Sequence, residues 1–245
     1  MKNLYDLRPN IILILIVLIY ASCGEDACID TVCLNNGTTL EVNGDCQCDC
    51  DATLYIGEQC DIPDPSKVQQ LLDAGSTPLA LYNDGVPVDS FYGKVYQGGL
   101  IFYLNTDTGS GLVAASENQG LDVSWGCLDI VIEGADGRAL GTGQQNTLDI
   151  VEGCDEPETA AMLCQDFVVD TYDDWFLPSR DELGLIYENL YLNNHGDFIS
   201  TRYWSSTEAP GFGLAWCKDF IIGIDLQNSK ESTGSFLGVR AVRAF

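Results

Sequence analysis

Trp175-Phe176-Leu177-Pro178-Ser179-Arg180-Asp181-Glu182-Leu183 decides how the larger part of the chain is read. An apolar, aromatic approach ends at a proline, and a helix begins at the residue after it. Ser179 and Glu182 have the spacing of a capping box, in which each side chain meets the other residue's backbone N–H. Asp181 and Glu182 also set negative charge at the positive end of the helix dipole. Leu183, Ile186, Tyr187 and Leu190 then recur at helical spacing as one apolar stripe. A second helix is predicted upstream, opened by Asp155-Glu156-Pro157-Glu158, with its proline early and carboxylates in the first turn. Its apolar face is Ala160, Leu163, Cys164 and Phe167. Strands surround these helices. Residues 95–104 and 112–115 flank the turn-forming Asn105-Thr106-Asp107-Thr108-Gly109-Ser110-Gly111 and read as a hairpin. Residues 203–206, 214–222 and 237–244 read as later strands. Two helices against several antiparallel strands, joined by long loops, predict an α+β domain over residues 93–245.

The amino-terminal side has another character. Residues 28–61 hold Cys28, Cys33, Cys46, Cys48, Cys50 and Cys60 with few large apolar residues. Cross-links must do the work of a core there. Six cysteines allow fifteen pairings. Close cysteines also suit zinc, but an oxidising compartment favours disulfides. Asn35-Asn36-Gly37 and Asn43-Gly44 are turn signals between short strands. Ile62-Pro63-Asp64-Pro65 is expected to be a linker, because its prolines disfavour helix and strand alike. It leads into short helical turns over 66–92, where Leu71-Leu72-Asp73-Ala74-Gly75 is echoed by Leu81-Tyr82-Asn83-Asp84-Gly85. Each glycine suits a helix C-terminus, and the segment is expected to act as a packing collar.

The first 22 residues read as a signal peptide. Lys2 and Arg8 precede an unbroken apolar run of ten residues, 11–20, then small Ala21 and Ser22. That run is shorter than the ~20 residues of a spanning helix. Cys23 directly after the small pair resembles a bacterial lipobox, which implies a lipid on Cys23, a tether over 23–27 and membrane attachment through that lipid. Glu25-Asp26 resembles the export tag of surface-exposed lipoproteins, implying the outer face of a bacterial outer membrane. Residues 23–245 retain nine basic and 36 acidic side chains, net −27. Such a surface excludes nucleic acid as a partner.

Two family resemblances sharpen these readings. The four residues between Cys28 and Cys33, the Asn-Asn-Gly after the second cysteine and Tyr55-Ile56-Gly57-Glu58-Gln59-Cys60 resemble an EGF-like domain, which implies Cys28–Cys46, Cys33–Cys48 and Cys50–Cys60. The ordered set Gly98-Gly99-Leu100-Ile101-Phe102-Tyr103, Trp125-Gly126-Cys127, Gly141-Thr142-Gly143 with Gln145-Asn146-Thr147, Thr159-Ala160-Ala161, Trp175 onward, Tyr203-Trp204-Ser205-Ser206-Thr207-Glu208, Ala215-Trp216 and Val239-Arg240-Ala241-Val242-Arg243 resembles the Lcl C-terminal domain family, from about Tyr92 to Phe245. That family is similar to C-type lectin-like domains and to the formylglycine-generating enzyme fold. The resemblance implies adhesion or ligand binding through long loops. The sulfated ligand of the founding adhesin does not transfer to so acidic a chain. Two bridges fit such a domain, and the preferred pairing is Cys127–Cys154 with Cys164–Cys217.

The expected function is therefore a non-catalytic surface binding module for an extracellular glycan or protein ligand. The alternative is a structural or assembly lipoprotein that docks to a protein partner in the cell envelope, ahead of an enzyme on a formylglycine-generating-enzyme-like fold. Its candidate ligand-binding residues are Trp204, Ser205, Ser206, Glu208 and Phe212, with residues 227–234 as a further loop to inspect. As single residues, Trp175, Trp204 and Trp216 read more readily as core packing. Arg240 and Arg243 stand three apart on one predicted strand and so face opposite sides, one of them expected to pair with Glu182 or Asp181. The lone histidine, His195, sits in a turn, and no Gly-x-Ser-x-Gly elbow or nucleotide-binding glycine motif occurs. Asp181 and Glu182 are better explained by helix capping than by glycoside hydrolysis. No metal or cofactor is expected. Calcium is compatible with both resemblances but not indicated, since the 105–111 turn lacks the closing glutamate of a calcium loop.

Overall fold

The computed structural model describes residues 28, 30–199, 201–231, 234 and 236–245. Cys23, the signal segment and the 23–27 tether lie outside the described residues. The chain is a disulfide-rich amino-terminal region followed by a mixed helix-and-sheet unit. In the first, β1 (Thr38–Val42) and β2 (Asp45–Asp49) form an antiparallel hairpin. Its turn residues Asn43 and Gly44 both have positive φ, 56° and 89°, the backbone that a two-residue hairpin turn requires. Every residue of β1 is exposed. Three disulfides, Cys28–Cys46, Cys33–Cys48 and Cys50–Cys60, hold the region together, in the pairing that the EGF resemblance implies.

The expected linker is structured. β3 (Tyr55–Ile56) pairs with β4 (Ile62–Pro63), where a two-stranded edge tolerates a proline. A 3-10 turn at Pro65–Lys67 follows, capped by Asp64. Helices α1 (Val68–Asp73) and α2 (Pro78–Asn83) come next. Val68, Leu71, Leu72, Leu81, Val86 and Phe91 are buried in the same core as Trp125, Trp175 and Trp204, and Leu54 and Tyr55 pack against that core. Lys67 Nζ donates to Thr53 O at 2.6 Å, which binds the collar to the disulfide region.

Two sheets build the larger unit. β5 (Val95–Tyr96), β6 (Gly99–Leu104) and β7 (Gly111–Ala114) form a four-stranded sheet with β13 (Val242–Ala244), in the order β13-β7-β6-β5. The long strand predicted over 95–104 is thus broken by a tight turn at Gln97 and Gly98, both at positive φ. The second sheet contains β8 (Gly120–Leu121), β9 (Arg202–Glu208), β10 (Leu214–Asp219), β11 (Ile224–Ser229) and β12 (Leu237–Val239), in the order β11-β10-β9-β12-β8. β12 runs parallel to β9, and the other pairs are antiparallel. Helix α5 (Arg180–Asn189) packs on β6, β9 and β10. Its Leu183, Ile186 and Leu190 share a buried cluster with Phe102, Phe176, Tyr203, Phe220 and Val242. The capping box is complete.

Four expectations need correction. The predicted 155–158 helix start is not one: Glu158 has φ 57°, and α4 (Ala160–Gln165) begins after Thr159, whose hydroxyl accepts from Met162 N–H. Helix α3 (Gly143–Gly153) went unread. Its buried residues include Gly143, Asn146 and Thr147 as well as Ile150, so the inward face is largely small or polar and gives no apolar period. A Cβ on Gly143 would collide with the Glu182 carboxylate and the Ser179 backbone N. The strand predicted to reach residue 222 stops at Asp219, whose Oδ1 accepts from Ile221 and Ile222 N–H at 2.9 and 3.3 Å. The chain then returns as β11, so Gln227 lies on a strand rather than in a loop. Finally, Arg240 and Arg243 are separated by the break between β12 and β13. Neither meets Glu182 or Asp181. Arg240 donates to Asn118 Oδ1, Ala115 O and Gly196 O, and Arg243 pairs with Asp174.

Candidate functional site

Glu182 is buried and serves as a clamp. Its two oxygens accept from Ser179 N–H at 2.7 Å and Gly141 N–H at 2.8 Å. Burial pushes its carboxyl above the usual carboxylate range, against the opposing pull of those N–H groups. Ser179 Oγ donates to Ala139 O, and Asp181 N–H donates to Arg138 O. The capping residues that start α5 therefore also fix the loop before α3.

That loop forms one wall of an open cleft of about 740 Å³. Val131, Ile132, Glu133, Gly134, Asp136 and Arg138 line it from one side, and residues 208–212 line it from the other. Glu208 joins the walls. Its Oε2 accepts from Ile132 N–H at 2.9 Å, and its own N–H donates to Ala135 O at 2.7 Å. Its other oxygen pairs with Lys230, whose side chain is fully buried. Lys230 Nζ also donates to Ile130 O at 2.7 Å and lies 4.5 Å from the Trp125 ring centroid. One ammonium thus satisfies a buried carboxylate and the carbonyls of a loop that has no regular structure to satisfy them.

The five candidate residues separate sharply. Glu208 and Phe212 face the cleft, and Phe212 is 69% exposed. Trp204, Ser205 and Ser206 do not face it; all three are fully buried. Trp204 Nε1 donates to Val123 O, Ser205 Oγ donates to Trp216 O, and Ser206 Oγ accepts from Asn146 Nδ2. As central-strand residues of β9 they hold the sheet to the loops packed on it, and no ligand reaches them in this conformation. Trp175 is also core, with its N–H on Tyr172 O. Trp216 is half-buried, and its indole N–H has no hydrogen-bond partner. Sequence reading missed Ile132 and Arg138, and it touched Lys230 only as part of the 227–234 stretch. Lys230 carried a signal, as a cation inside an otherwise acidic and polar stretch, but its partner lies 22 positions earlier and only the fold brings the two together.

Cys127–Cys154 is bridged and buried. The expected Cys164–Cys217 bridge is absent, and both thiols are free and buried. Cys164 rides on α4, which packs beside β12, whereas Cys217 is on β10, two strands away across the sheet. Two strand spacings amount to roughly 9–10 Å, beyond the Cα separation of about 7 Å that a disulfide can span. Burial pushes Cys217 up to about 12 and Cys164 well above the ordinary thiol value. With Cys23 replaced by serine, the native chain is expected to give no reaction with a thiol reagent at pH 8, and the chain in denaturant to give two thiols. Finding none in denaturant would restore the bridge. Among the described residues, the grouping with metal-ligand spacing is Cys127, Cys154 and Glu156; its two sulfurs are joined to each other, so neither is available as a thiolate. No helix among the described residues is long and apolar enough to cross a membrane.

Residues 21–64 match the family described as the SPE-9 third EGF-like domain. With its three disulfides, the amino-terminal region is an EGF-like domain. The match runs past the predicted boundary at 61 and takes in β4. No curated protein matches the chain. The class defined by the whole is an EGF-like module built onto a mixed helix-and-sheet domain with one large open cleft.

Proposed function

We propose that this is an exported cell-surface binding protein, held to a bacterial outer membrane by a lipid on Cys23, whose larger domain is a C-type lectin-like domain of the Lcl C-terminal family. Its cleft takes a glycan and catalyses nothing. The observation that carries this reading is the cleft itself, with exposed Phe212 beside the carboxylates of Glu133 and Asp136. An aromatic face packs on the apolar side of a sugar ring, and carboxylates accept hydrogen bonds from its hydroxyls. The cleft's shape is fixed before any ligand arrives, because Lys230 and Glu182 hold its walls from within, and a preformed cleft suits ligand binding.

A second reading, docking to a protein partner in the cell envelope, is favoured by a separate feature. Ile221 and Ile222 at the β10–β11 turn are 66% and 61% exposed, and Ile224 beside them is exposed as well. The full chain, screened on a glycan array in calcium and in chelator, is expected to give a reproducible hit. Phe212→Ala is expected to weaken that hit by roughly tenfold or more, the loss of one packed aromatic ring at a binding centre. A blank in both conditions would move the reading to the protein partner.

A further inference from the structure

The ligand class is written in the distribution of positive charge, if the cleft is a glycan site as proposed above. Nine basic side chains lie among the described residues of this strongly acidic chain. Six are in ion pairs with carboxylates, and Arg240 is buried among carbonyls and Asn118. Of the two left, Arg138 is exposed and stands in the cleft. Neither Asp136 nor Asp181 forms an ion pair with it. Its guanidinium carbon is 5.4 Å from the Trp216 ring centroid, and that of Arg180 is 4.6 Å from the same centroid. Arg180 spends only its Nε on Asp225, and Lys218 donates to that same carboxylate. Arg138 and Arg180 therefore flank Trp216, Lys218 shares the Asp225 carboxylate with Arg180, and a buried indole N–H beside the two guanidiniums lacks an acceptor. An unfilled donor of that kind is costly to bury and rare in folded proteins.

We propose that Arg138, with Arg180 and Trp216 beside it, receives a single carboxylate carried by an otherwise uncharged glycan. A guanidinium fork matches a carboxylate in two parallel hydrogen bonds. Glu133 and Asp136 on the same cleft accept the hydroxyl hydrogens of neutral sugars and repel a polyanion, as does the net charge of −26. One acidic sugar next to neutral ones satisfies both halves.

The test titrates the full chain with oligosaccharides ending in one carboxylated sugar, their methyl esters, their neutral cores and a polysulfated oligosaccharide. The acidic form is expected to bind about 10- to 100-fold more tightly than its ester, the range of a hydrogen bond to a charged group. Arg138→Gln is expected to erase that preference, so that acid and ester bind with equal affinity. The indole N–H resonance of Trp216, assigned with Trp216→Phe, is expected to shift with the acidic form alone. The ester arm needs no variant, so misfolding of Arg138→Gln leaves the test intact. Equal binding of acid and ester at a cleft that Phe212→Ala disables would overturn this inference and keep the glycan reading. Tighter binding of the polysulfated chain would overturn the single carboxylate. Silence from every sugar would overturn the glycan reading, and this inference with it.

Discussion

Lys230→Met is expected to cost roughly 3–5 kcal/mol of stability, the range for removing one partner of a buried ion pair. Methionine fills the volume but leaves Glu208, 6% exposed, without its cation, and removes the Nζ donor to Ile130 O. Urea unfolding at pH 7 measures it. The linked variant Lys230→Met with Glu208→Leu is expected to regain part of the loss, because no charge is then buried alone. It does not regain everything, since Ile132 N–H loses its acceptor. A double variant no more stable than Lys230→Met would show that the pair acts through the loop carbonyls and not through its charges. The cleft responds too. With its two walls untied, ligand binding is expected to weaken even where the folded fraction is complete, which separates positioning of residues 130–135 from stability.

Arg240→Met is the second large effect, roughly 3–5 kcal/mol, from several buried acceptors stranded at about 1–3 kcal/mol each. Burial draws the Arg240 pKa down to about 10, so the group remains cationic at neutral pH. It bridges three places that are remote in sequence: Asn118 and Ala115 after β7, Gly196 after α5, and its own link between β12 and β13. The Phe198 ring centroid lies 3.9 Å from its guanidinium carbon. A thermal scan is expected to show a midpoint lower by about 6–20 °C, at 2–4 °C per kcal/mol for a domain of this size. Arg240→Lys is expected to recover little, because one ammonium cannot reach Asn118, Ala115 and Gly196 together. A midpoint within about 2 °C of the parent, the effect of a surface change, would refute the role.

The sequence and the fold agree where local chemistry is decisive. The α5 cap and stripe and the 105–111 turn were legible because each rests on residues a few positions apart, whereas the three EGF pairings followed from the family resemblance, since six cysteines by themselves leave fifteen pairings open. Helix α3 was not legible, since its inward face is built from Gly143, Asn146 and Thr147, which pack and hydrogen-bond against β9 and the segment leading into α5 and carry no apolar rhythm. The candidate site was legible by half. Glu208 and Phe212 were found because the strand end before Gly211-Phe212-Gly213 marks a loop. Trp204, Ser205 and Ser206 were placed on the same surface because polar residues beside a loop suggest exposure. In the fold they are satisfied inside, Ser205 by a carbonyl of the next strand and Ser206 by a side chain of α3. Lys230 stood out as a lone cation, but its pairing with Glu208 was not legible, because tertiary contact alone brings the two together.

The disulfides also set how the molecule answers a pull. A load applied at Cys28 crosses to Cys46 through one bridge, runs along the chain to Cys50, and crosses to Cys60 through another. Only the four peptide units between Cys46 and Cys50 lie on that path, a span of about 14 Å at 3.3–3.6 Å per residue, and β2 already holds most of it extended, so the module has little length to give. The rest of the loop length is shielded from tension. Beyond Cys60 the force meets β4, paired to β3, and then Lys67 fastened to Thr53, so it enters the large core without passing through a slack hinge. The EGF-like module is a nearly inextensible strap fastened directly to the large core.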